Sequence, residues 1–162
     1  EVVGVECENE KEDDFFARFF SQEMACRRYE LEFVTPSTHK SAGVYVLFPT
    51  PELIIQSIHM RLAAFLQDFS LDDPEVLLQI ASHLCIVRYF LRSAPYYLEG
   101  TRIPGYLGRI TLSIRGPEQL AKLTGALLSL SEYTGIGVKT ALGMGGCRVL
   151  PLSNKNMNIN GG

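Results

Sequence analysis

Long apolar runs and a basic leader are both missing from this 162-residue chain. No window reaches the roughly 18 uninterrupted apolar residues that a membrane-spanning helix needs, so the sequence predicts no membrane span. The opening segment, EVVGVECENEKEDD, is mainly acidic, whereas signal and transit peptides carry basic charge. The first residue is Glu1 rather than Met, and it opens a strand-like run. We therefore expect one globular domain of ordinary size that belongs to a longer protein.

Closely spaced metal ligands are also missing. The cysteines form no CxxC pair, and the histidines form neither an HxH nor an HxxxH pair. A zinc site needs ligands at short spacing on a turn or a helix, so we predict no metal and no cofactor. Free thiols fit a reducing compartment, and we expect the protein to be cytoplasmic. The residues concerned are Cys7, Cys26, Cys85, Cys147, His39, His59 and His83.

Charge is distributed unevenly along the chain, although the net charge is only −3. Residues 1–32 contain ten acidic and four basic side chains, and residues 33–84 contain five acidic and two basic ones. Residues 85–162 reverse the sign, with three acidic and nine basic side chains. A basic half can form an electrostatic footprint for nucleic acid while an acidic half faces solvent. Scattered arginines on solvated strand faces would explain the same counts equally well.

Hydrophobic periodicity divides the chain into strands and helices. Alternating or continuous apolar runs predict strands, and apolar stripes at helical spacing predict helices, three of which follow proline start signals. The predicted strands are 1–7, 28–35, 85–93, 106–115 and 146–150, and the predicted helices are 14–24, 51–69, 74–84 and 117–134. Pro36 is expected to end the strand before it, and a loop is expected over 36–43. From Arg28 onward this order predicts a ferredoxin-like, split βαβ domain of the α+β class with an antiparallel sheet, preceded by an N-terminal strand and helix.

The stretch GIGVKTALGMGG, over residues 135–146, is the most informative motif, with five glycines around one lysine. It fails as a P-loop because Val138 precedes Lys139, and it fails as a dinucleotide fingerprint because Thr140 stands where glycine is needed. It also follows a predicted helix, whereas both of those motifs precede one. Glycines with free N–H groups, together with Lys139, could instead form an anion-binding concavity for a sugar-phosphate chain. The alternative is a tight connection from the helix into the last strand.

The pattern SEYTGIGVKTALGMGGCRV resembles the C-terminal glycine-rich signature of the CRISPR-associated repeat-RNA endoribonucleases of the RAMP superfamily. The segments YELEFVTPST, LFPTPELIIQSIHMRLAAF and IPGYLGRITLSIRGPEQLAKLTGALLSL are similar to further family segments in the same order. The resemblance implies two tandem ferredoxin-like domains and metal-independent cleavage of repeat RNA. In that reaction a ribose 2′-OH attacks the adjacent phosphate, which leaves a 2′,3′-cyclic phosphate.

The resemblance also implies that this chain is mainly the C-terminal, RNA-binding domain. Residues 1–27 would then be the end of a preceding domain and a linker helix, whose phenylalanine-rich face would dock onto that domain. The alternative is that this face covers the domain that follows. Residues 28–152 would be the RAMP domain, and residues 153–162 a flexible tail. Because relatives place their catalytic histidine in the N-terminal domain, most of the catalytic centre would lie outside this chain. CRISPR repeat RNA is the implied partner, other CRISPR effector subunits are further ones, and a homodimer stays open.

The candidate RNA contacts are the glycine loop and basic residues on the predicted strands. Lysine and arginine side chains would neutralise phosphates, and the glycines would contact the RNA or support a contacting loop. The set comprises Gly135, Gly137, Lys139, Thr140, Gly143, Gly145, Gly146, Arg88, Arg92, Arg109 and Arg148. His39, in the predicted loop, is a catalytic candidate because an imidazole with a pKa of about 6.5 suits proton transfer. A loop histidine without a catalytic role is the alternative.

Two other functions stay open at this point. A non-catalytic RAMP subunit would hold processed guide RNA in an effector complex without cutting it. A ferredoxin-like regulatory or ligand-binding domain would use the glycine loop only as a turn, since this fold serves many unrelated functions.

Overall fold

A computed structural model describes residues 12–65 and 73–153 of the chain. The helices in these ranges are α1 (Glu12–Phe20), α2 (Pro51–Phe65), α3 (Pro74–Ser82) and α4 (Glu118–Thr134), with a short 3-10 helix at Thr140–Leu142. The strands are β1 (Arg28–Ser37), β2 (His39–Ser41), β3 (Val44–Val46), β4 (Leu84–Ser93), β5 (Tyr96–Leu98), β6 (Thr101–Ile103), β7 (Tyr106–Ile114) and β8 (Cys147–Pro151). None of these helices is long and apolar enough to span a membrane. The strand predicted over 1–7 and all but the first residue of the predicted tail lie outside the described residues.

Four strands form one antiparallel sheet in the order β4-β7-β1-β8. This order, with α2 and α4 on the connections between strands, confirms the predicted ferredoxin-like α+β fold. One face of the sheet carries the core, where Leu31, Ile110 and Leu112 are fully buried. Ile58 of α2 and Leu128 of α4 belong to the same core, so both helices cover that face.

Helix α1 packs against α4 within this chain. Phe15 and Phe19 are buried in a small cluster with α4, whereas Phe20 is largely exposed. The buried ammonium group of Lys122 holds the end of α1, because it donates to the carbonyls of Phe20 (3.4 Å) and Gln22 (2.5 Å). Of the two surfaces considered for the phenylalanines, the domain that follows is therefore the correct one for Phe15 and Phe19, and docking onto a preceding domain is wrong for these two rings. Helix α4 offers a second apolar face, turned away from the sheet, which the two buried rings cover.

Residues 39–46 form a small hairpin, β2–β3, where the sequence predicts a loop. Strand β1 also continues past Pro36 to Ser37. Proline is tolerated there because the pairing of β1 with β7 is interrupted at that point, so its missing N–H costs no ladder bond. Ala42 and Gly43 both have positive φ values, 49° and 81°, as a two-residue turn in a twisted hairpin requires. The predicted loop over 36–43 is therefore wrong.

The helix starts agree with the proline signals in the sequence. The Asp73 carboxylate accepts a hydrogen bond from the N–H of Glu75 at the start of α3 (2.9 Å). The Thr50 hydroxyl oxygen accepts from the N–H of Leu53 at the start of α2 (3.3 Å). Such caps satisfy N–H groups that have no partner inside the helix. Helix α4 ends at Thr134, and the positive φ of Gly135 (72°) turns the chain away from the helix axis.

Candidate functional site

The glycine loop, defined here as residues 135–146, connects α4 to β8 and is bonded to two distant parts of the fold. The N–H of Gly137 donates to the hydroxyl of Ser57 on α2 (2.7 Å). The N–H of Gly146 donates to the hydroxyl of Thr35 on β1 (2.8 Å). The loop is therefore fixed against α2 and the end of β1 rather than extended into solvent.

Two glycines of this loop are required by a close approach of backbone to backbone. At Gly137 (φ 103°) a Cβ atom would stand 2.3 Å from the carbonyl oxygen of Thr38. At Gly145 (φ 72°) a Cβ atom would stand 2.1 Å from the carbonyl oxygen of Ile136. Only glycine adopts these conformations without a clash. Because Gly135, Gly137 and Gly145 are all buried, they shape the loop from inside the fold.

Most backbone N–H groups of the glycine loop already have partners within the chain. Those of residues 135–138 and 142–146 all donate to a carbonyl or to a hydroxyl. In the part of the chain that the structure describes, the loop N–H groups without a partner are those of Lys139, Thr140 and Ala141. Successive free N–H groups are therefore confined to this short stretch, because buried backbone groups must be satisfied locally, and the anion-binding concavity stays a prediction. The segment that can receive an anion is short, and Lys139 begins it.

The four predicted arginines lie together on the open face of the sheet, opposite the helices. Residues paired across antiparallel strands share a face. Arg109 pairs with Glu32, and Glu32 pairs with Arg148 on its other side. Arg88 and Arg92 on β4 pair with alternate residues of β7 on the same face. All four side chains are exposed, so the structure brings this predicted set to one surface.

Acidic residues between these arginines were missed by the sequence reasoning. Glu30 and Glu32 lie on the same open face, and their carboxylate oxygens are 4.0 Å and 3.4 Å from the guanidinium nitrogens of Arg109. Part of the positive charge of Arg109 is therefore neutralised within the chain. Alternation along β1 would have placed both carboxylates on this face once the neighbouring strands were known.

An exposed aromatic ring on the open face was also missed. Phe90 is 65% exposed, and the guanidinium carbon of Arg88 lies 5.0 Å from its ring centroid. Phe90 alternates with Arg88 and Arg92 along β4, which is the signal that could have placed it there. A ring held beside arginines offers a stacking surface to an unpaired nucleobase.

The glycine loop and the open face meet at the start of β8. The carbonyl of Gly146 accepts hydrogen bonds from the N–H groups of Val34 and Thr35 at distances of 2.9 Å and 3.3 Å. Arg148 follows two residues later, already on the open face opposite Glu32. One extended ligand, such as a polymer strand, can therefore contact both the glycine loop and the arginines of the open face.

His39 lies in a different environment from the one predicted. It belongs to β2, it is 3% exposed, and its Nε2 atom is 3.1 Å from the hydroxyl of Tyr106. Burial lowers the pKa of this imidazole to about 4, so the ring is neutral near pH 7. The expected loop position and ordinary pKa are therefore wrong. A catalytic role for His39 stays a prediction, and this environment gives it no support.

A cleft of about 280 Å³ lies between α2, the β2–β3 hairpin and the glycine loop. One row of α2 side chains packs in the core, and a second row at helical spacing faces this cleft. The sequence reasoning missed this second row. The hairpin adds a lysine, and the loop adds one apolar side chain. The residues that line the cleft are His39, Lys40, Leu53, Gln56, Ser57, Met60, Arg61, Gly137 and Val138, so the predicted candidate His39 borders it as well.

Among the described residues, no group of three or more His, Cys, Asp or Glu side chains is placed to hold a metal ion. Cys26, Cys85 and Cys147 are free thiols. Burial raises the pKa of the Cys147 thiol to about 11, so this group is protonated near pH 7 and packs as a small apolar side chain.

The chain is similar to known proteins over most of its length. A family model described as CRISPR-associated endoribonuclease Cas6 matches residues 31–147. A protein so named from Mycobacterium tuberculosis (strain CDC 1551 / Oshkosh) is 34% identical over 138 residues, which cover 85% of this chain and 44% of that protein. Another from Streptococcus thermophilus is 31% identical over 136 residues, covering 84% of this chain and 56% of that protein. The chain thus spans about half the length of the curated relatives it matches.

Solved structures share the same arrangement of strands and helices. A structure described as a Cas6 (TTHA0078) product complex matches with a TM-score of 0.69 and 28% identity, covering 83% of this chain and 56% of that chain. A Thermus thermophilus Cas6 (TTHB231) has a TM-score of 0.69 at 22% identity, covering 83% of this chain and 57% of that chain. The second match supports the fold alone.

Proposed function

This chain belongs to the Cas6 family of CRISPR-associated endoribonucleases, and from that membership we propose that it binds CRISPR repeat RNA. In the complete protein it would form the RNA-binding part of an enzyme that cuts the repeat without metal and leaves a 2′,3′-cyclic phosphate. The observation that carries the proposal is the meeting of the glycine loop with an arginine-bearing sheet face at the start of β8.

The arginines of the open face supply the phosphate contacts in this proposal. A guanidinium group binds phosphate through two parallel N–H donors, and it keeps its charge at any physiological pH. Arg88, Arg92 and Arg148 are exposed without an acidic neighbour within ion-pair distance among the described residues. Arg109 shares its charge with Glu30 and Glu32, so it contributes less.

The glycine loop contributes over residues 139–143, which are half-buried at Lys139 and Thr140 and exposed from Ala141 to Gly143. Lys139 supplies a point charge, and Thr140 supplies a hydroxyl and a free backbone N–H beside it. Gly143 is exposed and Gly146 is half-buried, so both are placed to lie against a sugar-phosphate backbone. The buried glycines at 135, 137 and 145 support this segment from within the fold.

We also propose a division of the chain, which the family relationship supports. We place the end of a preceding domain and its linker helix at residues 1–27, the RAMP domain at 28–152 and a tail at 153–162. The catalytic centre then lies largely in a part of the protein that this chain does not contain. Other CRISPR proteins are further partners, a homodimer stays a prediction, and the setting is the prokaryotic cytoplasm.

Salt-dependent binding tests the RNA surface. Anisotropy of a labelled repeat RNA over a series of KCl concentrations should give a linear dependence of log Kd on log salt. Lys139→Ala should weaken binding and reduce the slope by about one, whereas Lys139→Arg should keep it. An unchanged slope in Lys139→Ala would remove this residue from the interface. Failure of the wild-type chain to bind any repeat RNA would overturn the proposal.

Cleavage in EDTA tests the division of labour. We expect the isolated chain to bind repeat RNA but to cut it far more slowly than a two-domain relative. Cleavage at the same rate as the two-domain protein would contradict the placement of the catalytic centre outside this chain.

A further inference from the structure

The cleft between α2, the β2–β3 hairpin and the glycine loop has the composition of a nucleotide site. We propose that it takes one unpaired nucleotide of the bound RNA, with the base against apolar side chains and the phosphate near two cations. The proposal rests on the proposed RNA binding and deepens it, because it assigns a base-recognition site on the helical side of the glycine loop.

The second row of α2 side chains forms the long wall of the cleft. Leu53, Gln56 and Met60 follow one another at spacings of three and four residues, so they share one side of the helix. Met60 is 63% exposed although it is a large apolar residue, and Gln56 is exposed beside it. Solvent-facing apolar side chains that gather in a concavity favour a flat apolar ligand such as a nucleobase. The amide of Gln56 can both donate to and accept from a base edge.

Two cations and no carboxylate border the cleft among its described residues. The ammonium group of Lys40 lies 5.1 Å from the ring centroid of Tyr45, which holds it on the hairpin. Arg61 uses one guanidinium nitrogen in a bond to the carbonyl of Gly137 (3.4 Å), and its remaining N–H groups face no acidic partner among the described residues. In a chain whose net charge is −3, this local excess of positive charge favours an anion.

The size of the cleft limits its occupant to one small group. Its volume of about 280 Å³ lies at the lower end of the range for small-ligand pockets. A peptide helix in a groove would instead need several apolar anchors spread over successive turns. A nucleotide combines the flat apolar group and the anionic group that the walls and the cations require.

The glycine loop connects this site to the rest of the RNA surface. The Ser57 hydroxyl accepts from the N–H of Gly137 (2.7 Å) and lies 3.4 Å from its carbonyl oxygen, so the floor of the cleft is also the anchor of the loop. Val138 lines the cleft, and the half-buried Lys139 and Thr140 follow it immediately, ahead of the exposed residues 141–143. An RNA strand that follows the loop can therefore place one base in the cleft.

Nuclear magnetic resonance titration tests the site with defined probes. The four 5′-mononucleotides should shift the amide signals of Gln56, Met60 and Val138 in a saturable manner, and ribose 5-phosphate should bind at least fivefold more weakly. Met60→Trp should abolish the shifts by filling the cleft from an exposed position. The matched control, Leu78→Trp, adds the same ring to α3 at an equally exposed apolar residue that does not line the cleft, and it should retain the shifts. Equal shifts with ribose 5-phosphate, or shifts with an acidic peptide instead of nucleotides, would overturn the proposal.

Repeat-RNA binding separates this inference from the function on which it rests. Met60→Trp should weaken binding about fivefold to tenfold relative to Leu78→Trp, which corresponds to about 1–1.4 kcal/mol. Equal affinities of the two variants would overturn the nucleotide site and leave RNA binding standing. Loss of RNA binding in the wild type would overturn the proposed function, and nucleotide shifts in the same sample would show that the site itself exists.

Discussion

Replacing Gly137 with alanine would place a methyl carbon 2.3 Å from the carbonyl oxygen of Thr38. The backbone at this position has a φ of 103°, which costs a residue with a side chain about 1–2 kcal/mol even without a clash. The clash cannot be relieved by rotating a side chain, because the obstructing atom belongs to the backbone. The loop must therefore move away from the β2–β3 hairpin and from α2.

Two hydrogen bonds break when the loop moves. The N–H of Gly137 loses the hydroxyl of Ser57 (2.7 Å), and the N–H of Val138 loses the carbonyl of Thr38 (2.9 Å). Each bond contributes about 1 kcal/mol, so Gly137→Ala should lower the free energy of unfolding by about 3–4 kcal/mol in total. For a domain of this size, that corresponds to a decrease of about 6–16 °C in the melting temperature.

Gly43→Ala is the matched control for this substitution. Gly43 has a φ of 81°, but a Cβ atom there would meet nothing within 4 Å. Its cost should therefore be the conformational part alone, about 1–2 kcal/mol. Urea unfolding of the wild type and both variants, followed by circular dichroism, gives the comparison. If the two variants lose the same stability within about 0.5 kcal/mol, the tight packing of the glycine loop is refuted.

Three further predictions concern the histidine, the buried lysine and the central arginine. The pKa of His39 is about 4 in the folded chain and about 6.5 in the unfolded chain, so the free energy of unfolding should fall by about 3 kcal/mol as the pH is lowered from 6.5 to 4. His39→Gln should flatten this pH dependence in urea titrations. An equally steep dependence in the variant would contradict the burial of a neutral His39. Lys122→Met should lower the free energy of unfolding by about 1–3 kcal/mol and speed amide hydrogen exchange in α1, because the carbonyls of Phe20 and Gln22 lose their donor. Unchanged exchange would show that the Lys122 ammonium does not hold this helix. Arg109→Gln should lower the free energy of unfolding by less than about 1 kcal/mol, because the arginine side chain is 57% exposed and its ion pairs are solvated. A larger loss of stability in thermal unfolding would mean that these ion pairs stabilise the fold.

The main strands and helices were predictable because their signals are local. Apolar and polar residues alternate in the segments that begin at Arg28 and Tyr106, which predicts two strands with one buried and one open face. The two strands pair with each other in the register that this pattern requires. Proline with a neighbouring Thr or Asp predicted the starts of α2 and α3, since capping involves only the first turn of a helix. The ferredoxin-like order then follows from the sequence of these elements.

Features that depend on distant partners were not predictable from such patterns. His39 is buried because Tyr106, 67 residues later, lies against it, and nothing near His39 indicates that contact. Strand β1 continues past Pro36, and the carbonyl of Pro36 accepts a hydrogen bond from the N–H of Gly145. This partner lies 109 positions later in the chain, so the local sequence does not indicate it. The predicted arginines do lie on one face of the sheet. The carboxylates of Glu30 and Glu32 lie among them, and this placement depends on the order of the strands in the sheet. The composition of the loop was informative, but which of its N–H groups stay free was decided by tertiary bonds.

The bonds that shape the glycine loop also set when it can form. Gly137 and Gly146 bond to residues 80 and 111 positions earlier in the chain. At a synthesis rate of about 5–20 residues per second, roughly 5–20 s pass between the emergence of those partners and of the loop. Contacts of such long sequence separation slow folding, because the entropy of loop closure is lost before they form. Strand β8 follows the loop and pairs with β1 across a similar separation, so the loop and the last strand of the sheet can form only once α2 and β1 are available. A chain that has not reached this stage carries Arg88, Arg92 and Arg109 but not the surface that joins them to Lys139.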